Sequence, residues 1–327
     1  MSKMLAGLLH RMAVEIIAEI GVNHQNDLAL AHRLIDEAKA AGADAAKFQV
    51  SIPELEVSRR AAPEHYALIK SLVPSRECLV ECKAHCDQIG IEFLCTPAEE
   101  DSLAWLIGLG VKRIKIASDN LTNIPFIRAV NLTGLPIIFS TGMGTPAEIN
   151  RAMCSILKSD IAILHCTSSY PCPAEDANLA ALRDLASSTN IPVGWSDHTT
   201  STALAAVAVG LGAVMIEKHL TLDRNAPGPD HRASLEPWQF KAMVENIREA
   251  EAAMGDGIKR LMPSEEDTAR VVLKSLVARL PIRAGDVFTA ENLTVKRPGT
   301  GIPASRWGEV IGKASTRDYQ EDELIAW

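Results

Sequence analysis

The run Ser201-Thr-Ala-Leu-Ala-Ala-Val-Ala-Val-Gly-Leu211, followed after Gly212 by Ala213-Val-Met-Ile-Glu-Lys218, decides the fold. Its first part reads as a helix closed by glycine. Its second part is a short apolar strand that ends in charge at Glu217 and His219. The same alternation recurs along the chain. Seven earlier strand candidates are Val14 to Gly21, Ala43 to Val50, Ile91 to Thr96, Lys112 to Ser118, Leu135 to Ser140, Ile161 to Cys166 and Ile191 to Trp195. Helical stretches such as Leu28 to Ala41, Ala98 to Leu109 and Ala147 to Lys158 lie between them. Short strands separated by helices build a parallel sheet, and eight such units in about 240 residues are the size of a closed (β/α)₈ TIM barrel. A doubly wound open sheet is the competing architecture. The first strand is not followed by G-x-G-x-x-G, which counts against its nucleotide-binding version.

Composition narrows the classes. The 327 residues are 47% hydrophobic, enough for one large domain and a small one. With 33 basic and 41 acidic residues the net charge is −8, and no basic block is present to neutralise a run of phosphates, so nucleic acid is not an expected partner. No stretch has membrane-spanning length, and the first twelve residues hold only the short apolar run Leu5 to Leu9, so they read as a leader without chemistry in a cytoplasmic protein. Seven cysteines, an odd number, fit a reducing compartment. Cys78, Cys82 and Cys86 share one helical stripe, and packing explains them better than a zinc site, whose ligands come in pairs from two segments.

The expected domains are a barrel over 13–255, a polar linker over 256–270 and a small β-rich domain over 271–327. The last has strand-like runs at Val271 to Leu280 and Leu293 to Lys296, with turn chemistry at Arg283-Ala-Gly-Asp286 and Pro298-Gly-Thr-Gly301.

In a barrel the active site sits at the C-terminal ends of the strands. Chemically capable residues gather there. They are Glu19, Lys47 with Gln49, Thr96, Lys115 with Ser118, Ser140 with Thr141, Ser168 with Tyr170, Ser196 with Asp197 and His198, and Glu217 with His219. Polar residues mark any strand end that returns to water, so one or two would mean little. Lys47 and Lys115, however, interrupt the apolar strands Ala-Lys-Phe-Gln and Ile-Lys-Ile-Ala, where a lysine must find an anionic partner. Two lysines with neighbouring hydroxyls suit a small phosphorylated acid, and Schiff-base chemistry stays open for such a lysine. His198 and His219, from consecutive strands and beside Asp197 and Glu217, suit a divalent metal, with hydrogen-bonded rim histidines as the bland reading. Ser140-Thr-Gly-Met-Gly144 leads into a helix whose N-terminus could meet phosphate, or could simply be capped by Thr145.

Taken together, the motifs resemble the sialic acid synthase family, which makes N-acetylneuraminic, legionaminic and pseudaminic acids. They are Ile17-Ala-Glu-Ile-Gly-Val-Asn-His24, Ala46-Lys-Phe-Gln49, Lys115-Ile-Ala-Ser118, Phe139-Ser-Thr-Gly-Met143, Leu164-His-Cys-Thr-Ser-Ser-Tyr-Pro171, Gly194-Trp-Ser-Asp-His-Thr199, Glu217-Lys-His219 and Gly228-Pro-Asp-His231. The resemblance implies a barrel followed by an antifreeze-like (SAF) domain and a synthase joining phosphoenolpyruvate to an N-acetylated aldose such as N-acetylmannosamine. By resemblance, Lys47, Thr96, Lys115, Ser118, Ser140 and Ser196 are phosphoenolpyruvate ligands. His198 and His219 hold a divalent metal, Mn²⁺ or Mg²⁺. Glu19 is a carboxylate near the aldehyde, and Gln49, Tyr170 and Asp230 contact the sugar. Arg297, in Val295-Lys-Arg-Pro-Gly299, would reach the sugar in the partner's site of a domain-swapped homodimer.

Two stretches depart from the family pattern, and Ser168-Ser-Tyr170 also lacks the asparagine usual before its Tyr-Pro motif. Ser118-Asp-Asn120 stands where the family reads Ser-Gly-Glu or a near variant, and Glu54 to Arg76 is shorter than the usual segment after Gln49. They bear on the sugar. A synthase for a different aldehyde, a non-catalytic sugar-binding barrel and a Schiff-base aldolase using Lys115 are the competing readings.

Overall fold

The computed structural model describes residues 13–157 and 160–327. The leader expected over 1–12 lies outside the described residues. The chain divides into two compact units, one ending at Gly255 and one beginning at Asp256.

The first unit is a TIM barrel. Its strands are β1 (Glu15–Gly21), β2 (Ala45–Val50), β3 (Glu92–Pro97), β4 (Ile114–Ile116), β5 (Ile137–Ser140), β6 (Ile161–Cys166), β7 (Val193–Asp197) and β8 (Met215–His219). They form one parallel sheet in the order β3-β2-β1-β8-β7-β6-β5-β4, and β3 lies beside β4, which brings the two ends of the sheet together. The helices are α1 (Leu28–Ala40), α2 (Pro53–Glu56), α3 (Pro63–Leu72), α4 (Arg76–Ile89), α5 (Glu100–Leu109), α6 (Ile124–Leu132), α7 (Pro146–Met153), α8 (Ala181–Thr189), α9 (Leu204–Gly210) and α10 (Pro237–Ala253). β4 is shorter than its apolar run suggested. Ser118-Asp-Asn120 turns into a 3₁₀ segment in which Asp119 Oδ1 accepts the Asn120 N–H at 2.9 Å, a local bond that competes with strand pairing.

Alternation along the strands stacks the interior in layers. Arg113 joins Glu15 and Glu92 in the deepest one. Above it Ile17, Ala45, Leu94, Ile138, Leu164 and Met215 form an apolar plug. The next residues along β1, β2 and β8 on the same face are Glu19, Lys47 and Glu217, so the polar layer rests on a dry floor. The opposite faces carry Ile16, Ala18, Phe48 and Ile216 into the helix-covered core, together with Cys82 and Cys86 of α4. The thiols on the α4 stripe are free.

The second unit holds a two-stranded antiparallel ladder, β9 (Ser275–Ala278) with β10 (Leu293–Lys296), around a core that includes Leu276, Phe288, Leu293, Tyr319 and Ile325. The turn at Arg283 forms as read, with Asp286 Oδ2 accepting the Arg283 N–H at 2.8 Å. One expectation fails. Val271 and Val272 do not start a strand but close α11 (Glu266–Val272), exposed to solvent. Glu266 and Asp267 in its first turn and Arg270 in its last suit the helix dipole, which outweighs two β-branched residues. Arg297 follows β10 directly and is exposed.

His24, just after β1, is wholly buried edge-on to Phe48 with both ring nitrogens unpaired, and burial pushes its imidazole down to about 4. A histidine held neutral in the fold binds its proton more readily in the unfolded chain, so its contribution is complete above about pH 6.5 and is lost as pH falls toward 4. His24→Phe should reduce the loss of stability between pH 7 and pH 5 by about 2 kcal/mol. Urea unfolding at the two pH values checks this, and an unaltered pH slope would sink it.

Candidate active site

The C-terminal mouth of the barrel holds an open cavity of about 480 Å³. Apart from Thr96, every barrel residue given a role by the resemblance lines it: Glu19, Lys47, Gln49, Lys115, Ser118, Ser140, Tyr170, Ser196, His198, His219 and Asp230. Thr96 stands beside it and accepts a hydrogen bond from Lys47 at 3.3 Å. Arg297 belongs to the second unit.

The floor is an ionic cluster. Lys47 Nζ lies 2.8 Å from Glu19 Oε2 and 3.7 Å from Glu217 Oε2. Lys115 Nζ lies 3.7 Å from Glu217 Oε1 and donates to Ser140 Oγ at 2.6 Å. Ser196 Oγ donates to Glu217 Oε1 at 2.9 Å. All six side chains are buried. Burial works against charge on the two lysines and two carboxylates, and their partners decide the outcome. Glu217 stays below the usual carboxylate range because Lys115 and Lys47 outweigh its desolvation. Burial would lower Lys47, but Glu19 and Glu217 hold it well up, at about 12. Lys115, with weaker partners, is lowered by burial. Glu19 is raised, first by burial and then by neighbouring Glu217, against the pull of Lys47. Glu19 is therefore the carboxyl in the cluster suited to exchanging a proton, whereas Glu217 is pinned as an anion.

The wall carries the histidines. Their ring centroids are 5.5 Å apart, and Tyr170 lies against both, at 4.1 Å from His198 and 5.7 Å from His219. His198 Nδ1 donates to the Thr167 carbonyl at 2.8 Å, which leaves Nε2 as a lone-pair donor. His219 Nδ1 is buried without a hydrogen-bond partner, 3.7 Å from Asp230 Oδ2, and burial lowers this imidazole to about 4. His198 behaves differently: burial works against its charge, but the Cys166 thiol and the Thr167 carbonyl raise this imidazole above its ordinary range. Two imidazoles so close together suit a divalent cation, which binds them in their neutral form. Among the described residues no three histidine, cysteine or carboxylate side chains converge on one point, so a cation here would have two imidazole ligands and fill its other positions with oxygens from water or substrate.

Backbone shape is fitted to this crowding. A Cβ on Gly142 would fall 2.3 Å from Ser168 Oγ and 2.8 Å from Ser118 Oγ, and the Gly142 N–H donates to Ser118 Oγ at 3.0 Å. A β-bulge at the end of β1 places Gly21 at φ +52°, against Glu19 and Gln49. Gln49 Nε2 donates to Glu19 Oε1 at 2.7 Å.

One reading needs correction. Asp197 does not flank the histidines. It points away from the cavity, with its Oδ2 2.6 Å from Lys218 Nζ, and both side chains are completely buried. At the N-terminus of α7 the capping alternative is met, with Thr145 and Glu148 forming a capping box. The sequence reading left Glu217 among the strand-end residues without a role, although its alternation with Glu19's neighbour Lys47 across β1 was the available signal. It also missed Cys166, whose Sγ is 3.8 Å from His198 Nδ1, and the cover formed by Glu56, His65, Leu68, Ile69 and Leu72.

The comparisons agree with this geometry. The model of the NeuB family matches residues 34–259, and that of the SAF domain matches residues 274–327. N,N'-diacetyllegionaminic acid synthase of Campylobacter jejuni is 41% identical over 95% of this chain and 98% of its own. Human N-acetylneuraminate-9-phosphate synthase is 34% identical over 95% of this chain and 90% of its own. A crystal structure of N-acetylneuraminic acid (sialic acid) synthetase from Leptospira borgpetersenii, in complex with citrate, superposes with a TM-score of 0.74 at 36% identity, covering 79% of this chain and 90% of that one. With a barrel matched over most of its length and an SAF domain behind it, the chain belongs to the NeuB family.

Proposed function

We propose that this protein is a phosphoenolpyruvate-dependent nonulosonic acid synthase, a transferase that joins phosphoenolpyruvate to an N-acetylated aldose and releases phosphate. The observation that carries the reading is the Lys47–Glu217–Lys115 cluster on the floor of a cavity whose wall presents two neighbouring imidazoles. Lys47 and Lys115 hold the phosphate and carboxylate of phosphoenolpyruvate, and the hydroxyls of Thr96, Ser118, Ser140 and Ser196 complete the cradle. Glu217 keeps both ammonium groups aimed at the same point. Tyr170 and Asp230, with Gln49, contact the sugar. His198 and His219 would hold a divalent cation, Mn²⁺ or Mg²⁺, which supplies Lewis-acid polarisation of the aldehyde when bound.

The enol π electrons of phosphoenolpyruvate form the bond from its C3 to the aldehyde carbon, and the carbonyl oxygen takes a proton to become a hydroxyl. Glu19 stands where it can move that proton. Water adds to the electron-poor C2 and loses a proton. The resulting tetrahedral carbon collapses to a ketone as its C–O bond to phosphate breaks.

The test is phosphate release from phosphoenolpyruvate with N-acetylated aldoses. Release should require both substrates, fall at least tenfold after chelation and return with Mn²⁺. An aldehyde adduct on Lys115 trapped by borohydride, formed without phosphoenolpyruvate, would instead establish the Schiff-base aldolase.

Arg297 is assigned by the Val295-Lys-Arg-Pro-Gly299 resemblance to the sugar in a partner's site of a C₂ dimer. Arg297→Ala should weaken sugar use by about ten- to a hundredfold, the value of one charge-assisted contact. Mixed with a Lys115→Ala chain under conditions of subunit exchange, it should recover part of the activity, because each mixed dimer then has one intact site. No recovery despite proven exchange would place Arg297 outside the partner's site.

A further inference from the structure

Two imidazoles that share a cation must each keep their one proton on the far nitrogen, because the near one gives up its lone pair. His198 meets this demand through Nδ1, which donates to the Thr167 carbonyl at 2.8 Å. His219 has no such bond. Its ring lines the cavity while its Nδ1 is buried without a hydrogen-bond partner, so Nε2 is the nitrogen left to face a cation and Nδ1 must carry the proton. A buried N–H calls for an acceptor. Glu217 is already engaged by Lys47, Lys115 and Ser196. The carboxylate beside Nδ1 is Asp230, whose Oδ2 lies 3.7 Å away. That separation is longer than a hydrogen bond, yet no other acceptor pairs with Nδ1.

The segment after β8 is built to keep Asp230 in this place. It leaves and rejoins the barrel at one point, where the Leu235 N–H donates to the His219 carbonyl at 2.9 Å and the Thr221 N–H to the Leu235 carbonyl at 3.0 Å. The carbonyl of Asp230 accepts from Ser234 Oγ at 2.7 Å, and Asn23 Nδ2 donates to the same Ser234 Oγ at 2.9 Å. Gln25 Nε2 donates to the Pro227 carbonyl at 2.7 Å and lies 3.1 Å from His231 Nε2, while His231 Nδ1 lies 2.7 Å from Thr221 Oγ1. One tautomer satisfies all of these contacts. His231 Nε2 accepts from Gln25, its Nδ1 donates to Thr221, and the Thr221 hydroxyl donates to the Asp223 carbonyl at 3.1 Å. Gly228, at φ +148°, passes close to this ring, where a Cβ would fall 2.8 Å from His231 Cδ2. Gly21 leaves room for the carboxylate itself, since a Cβ there would lie 3.4 Å from Asp230 Oδ2. The exit of β1, through Asn23 and Gln25, therefore fixes a carboxylate beside a histidine of β8.

We propose that Asp230 is a positioning residue for His219: its carboxylate accepts the Nδ1–H, fixes that tautomer and turns Nε2 toward the cation. This rests on the metal-holding part of the synthase reading and gives Asp230 a duty besides the sugar. Asn23, Gln25 and His231 act one step further out, by holding the segment that carries it.

The experiment measures Mn²⁺ binding to the full chain by electron paramagnetic resonance of the free ion, with neither substrate present. Asp230→Ala should weaken binding by about ten- to a hundredfold. Asp230→Asn keeps a carbonyl oxygen for the Nδ1–H and should stay within about threefold of the parent. Unchanged affinity in Asp230→Ala would leave the residue a sugar contact alone and overturns the proposal. Equal losses in the two variants would mean that only the negative charge matters, which overturns it too. Gln25→Ala unfastens the segment without touching a residue that lines the cavity, and it should weaken Mn²⁺ several-fold with the Asp230 carboxylate intact. Unchanged affinity there overturns the role of the fastening. Circular dichroism shows that each variant is folded, and Gln25, being exposed, carries the test if Asp230→Ala is not. A parent chain that binds no Mn²⁺, or binds it equally well after His219→Ala, overturns the metal pair and this inference with it. Absence of phosphate release, with the order of Mn²⁺ affinities as expected, overturns the synthase reading and leaves the inference standing.

Discussion

Lys115→Met should lower kcat/KM for phosphoenolpyruvate by about a thousandfold or more while the barrel stays folded. Lys115 is among the largest fully buried side chains, and its ammonium is held by Glu217 at 3.7 Å and Ser140 Oγ at 2.6 Å. Methionine matches its length and apolar stem, so packing against the strands survives. What disappears is one of two cations facing an anionic substrate in a shielded cavity. Truncating one partner of a buried, hydrogen-bonded charge pair costs about 2 to 5 kcal/mol, and a thousandfold is about 4. The loss has a second source. Glu217 would keep only Lys47, so its negative charge would repel the incoming phosphate or carboxylate. Lys115→Met/Glu217→Gln should therefore recover part of the loss, because it removes that repulsion. Steady-state phosphate release, with circular dichroism to show the fold intact, decides the matter. Kinetic constants for phosphoenolpyruvate unchanged in Lys115→Met would take the residue out of the site.

Much of this cluster was legible because lysine is conspicuous inside an apolar strand. Ala46-Lys-Phe-Gln49 and Ile114-Lys-Ile116 leave the ammonium no route to water except the barrel mouth, and both ends are found there. The strand-end rule worked for the same reason at Ser140, Ser196, His198 and His219. It failed where two chemically rich residues adjoin. Asp197 and His198 are neighbours in sequence, yet His198 lines the cavity while Asp197 faces outward to Lys218. A strand alternates its faces, and without the register of β7 on β8 nothing says which neighbour points inward. A small space where β2, β3 and β4 end was harder still. Its lining joins Val22, Glu56, Ile69 and Leu72 with Asp119 and Asn120, and the apolar residues of α3 carry only the spacing of an ordinary surface helix. The departures at Glu54 to Arg76 and at Ser118-Asp-Asn120 were visible, but their convergence is a property of the closed barrel. In the second unit Val271 and Val272 misled because β-branched residues favour strands only where a pleated neighbour receives them.

The Asp197–Lys218 pair gives the largest stability effect. Lys218→Met should destabilise the barrel by about 3 to 5 kcal/mol, because it strands a carboxylate in the core. The pair lies at 2.6 Å with both side chains fully inaccessible, and Lys218 also donates to the Thr199 carbonyl. Burial lowers the lysine's pKa, and Asp197 is what opposes that. Asp197 has another duty, since its Oδ1 accepts the Thr199 N–H at 2.7 Å and shapes the exit from β7. Asn at 197 keeps a carbonyl oxygen for that bond and carries no charge. Lys218→Met/Asp197→Asn should therefore regain most of the loss, which separates the cost of an orphaned charge from the net worth of the pair. Because neither side chain lines the cavity, the double variant should retain kcat and KM within about threefold, whereas any change at adjacent Glu217 acts on catalysis first. Urea unfolding of the parent, the two single variants and the double variant measures the coupling directly. Additive losses, with the double variant no more stable than Lys218→Met, would mean that the stranded charge is not what the single variant suffers from.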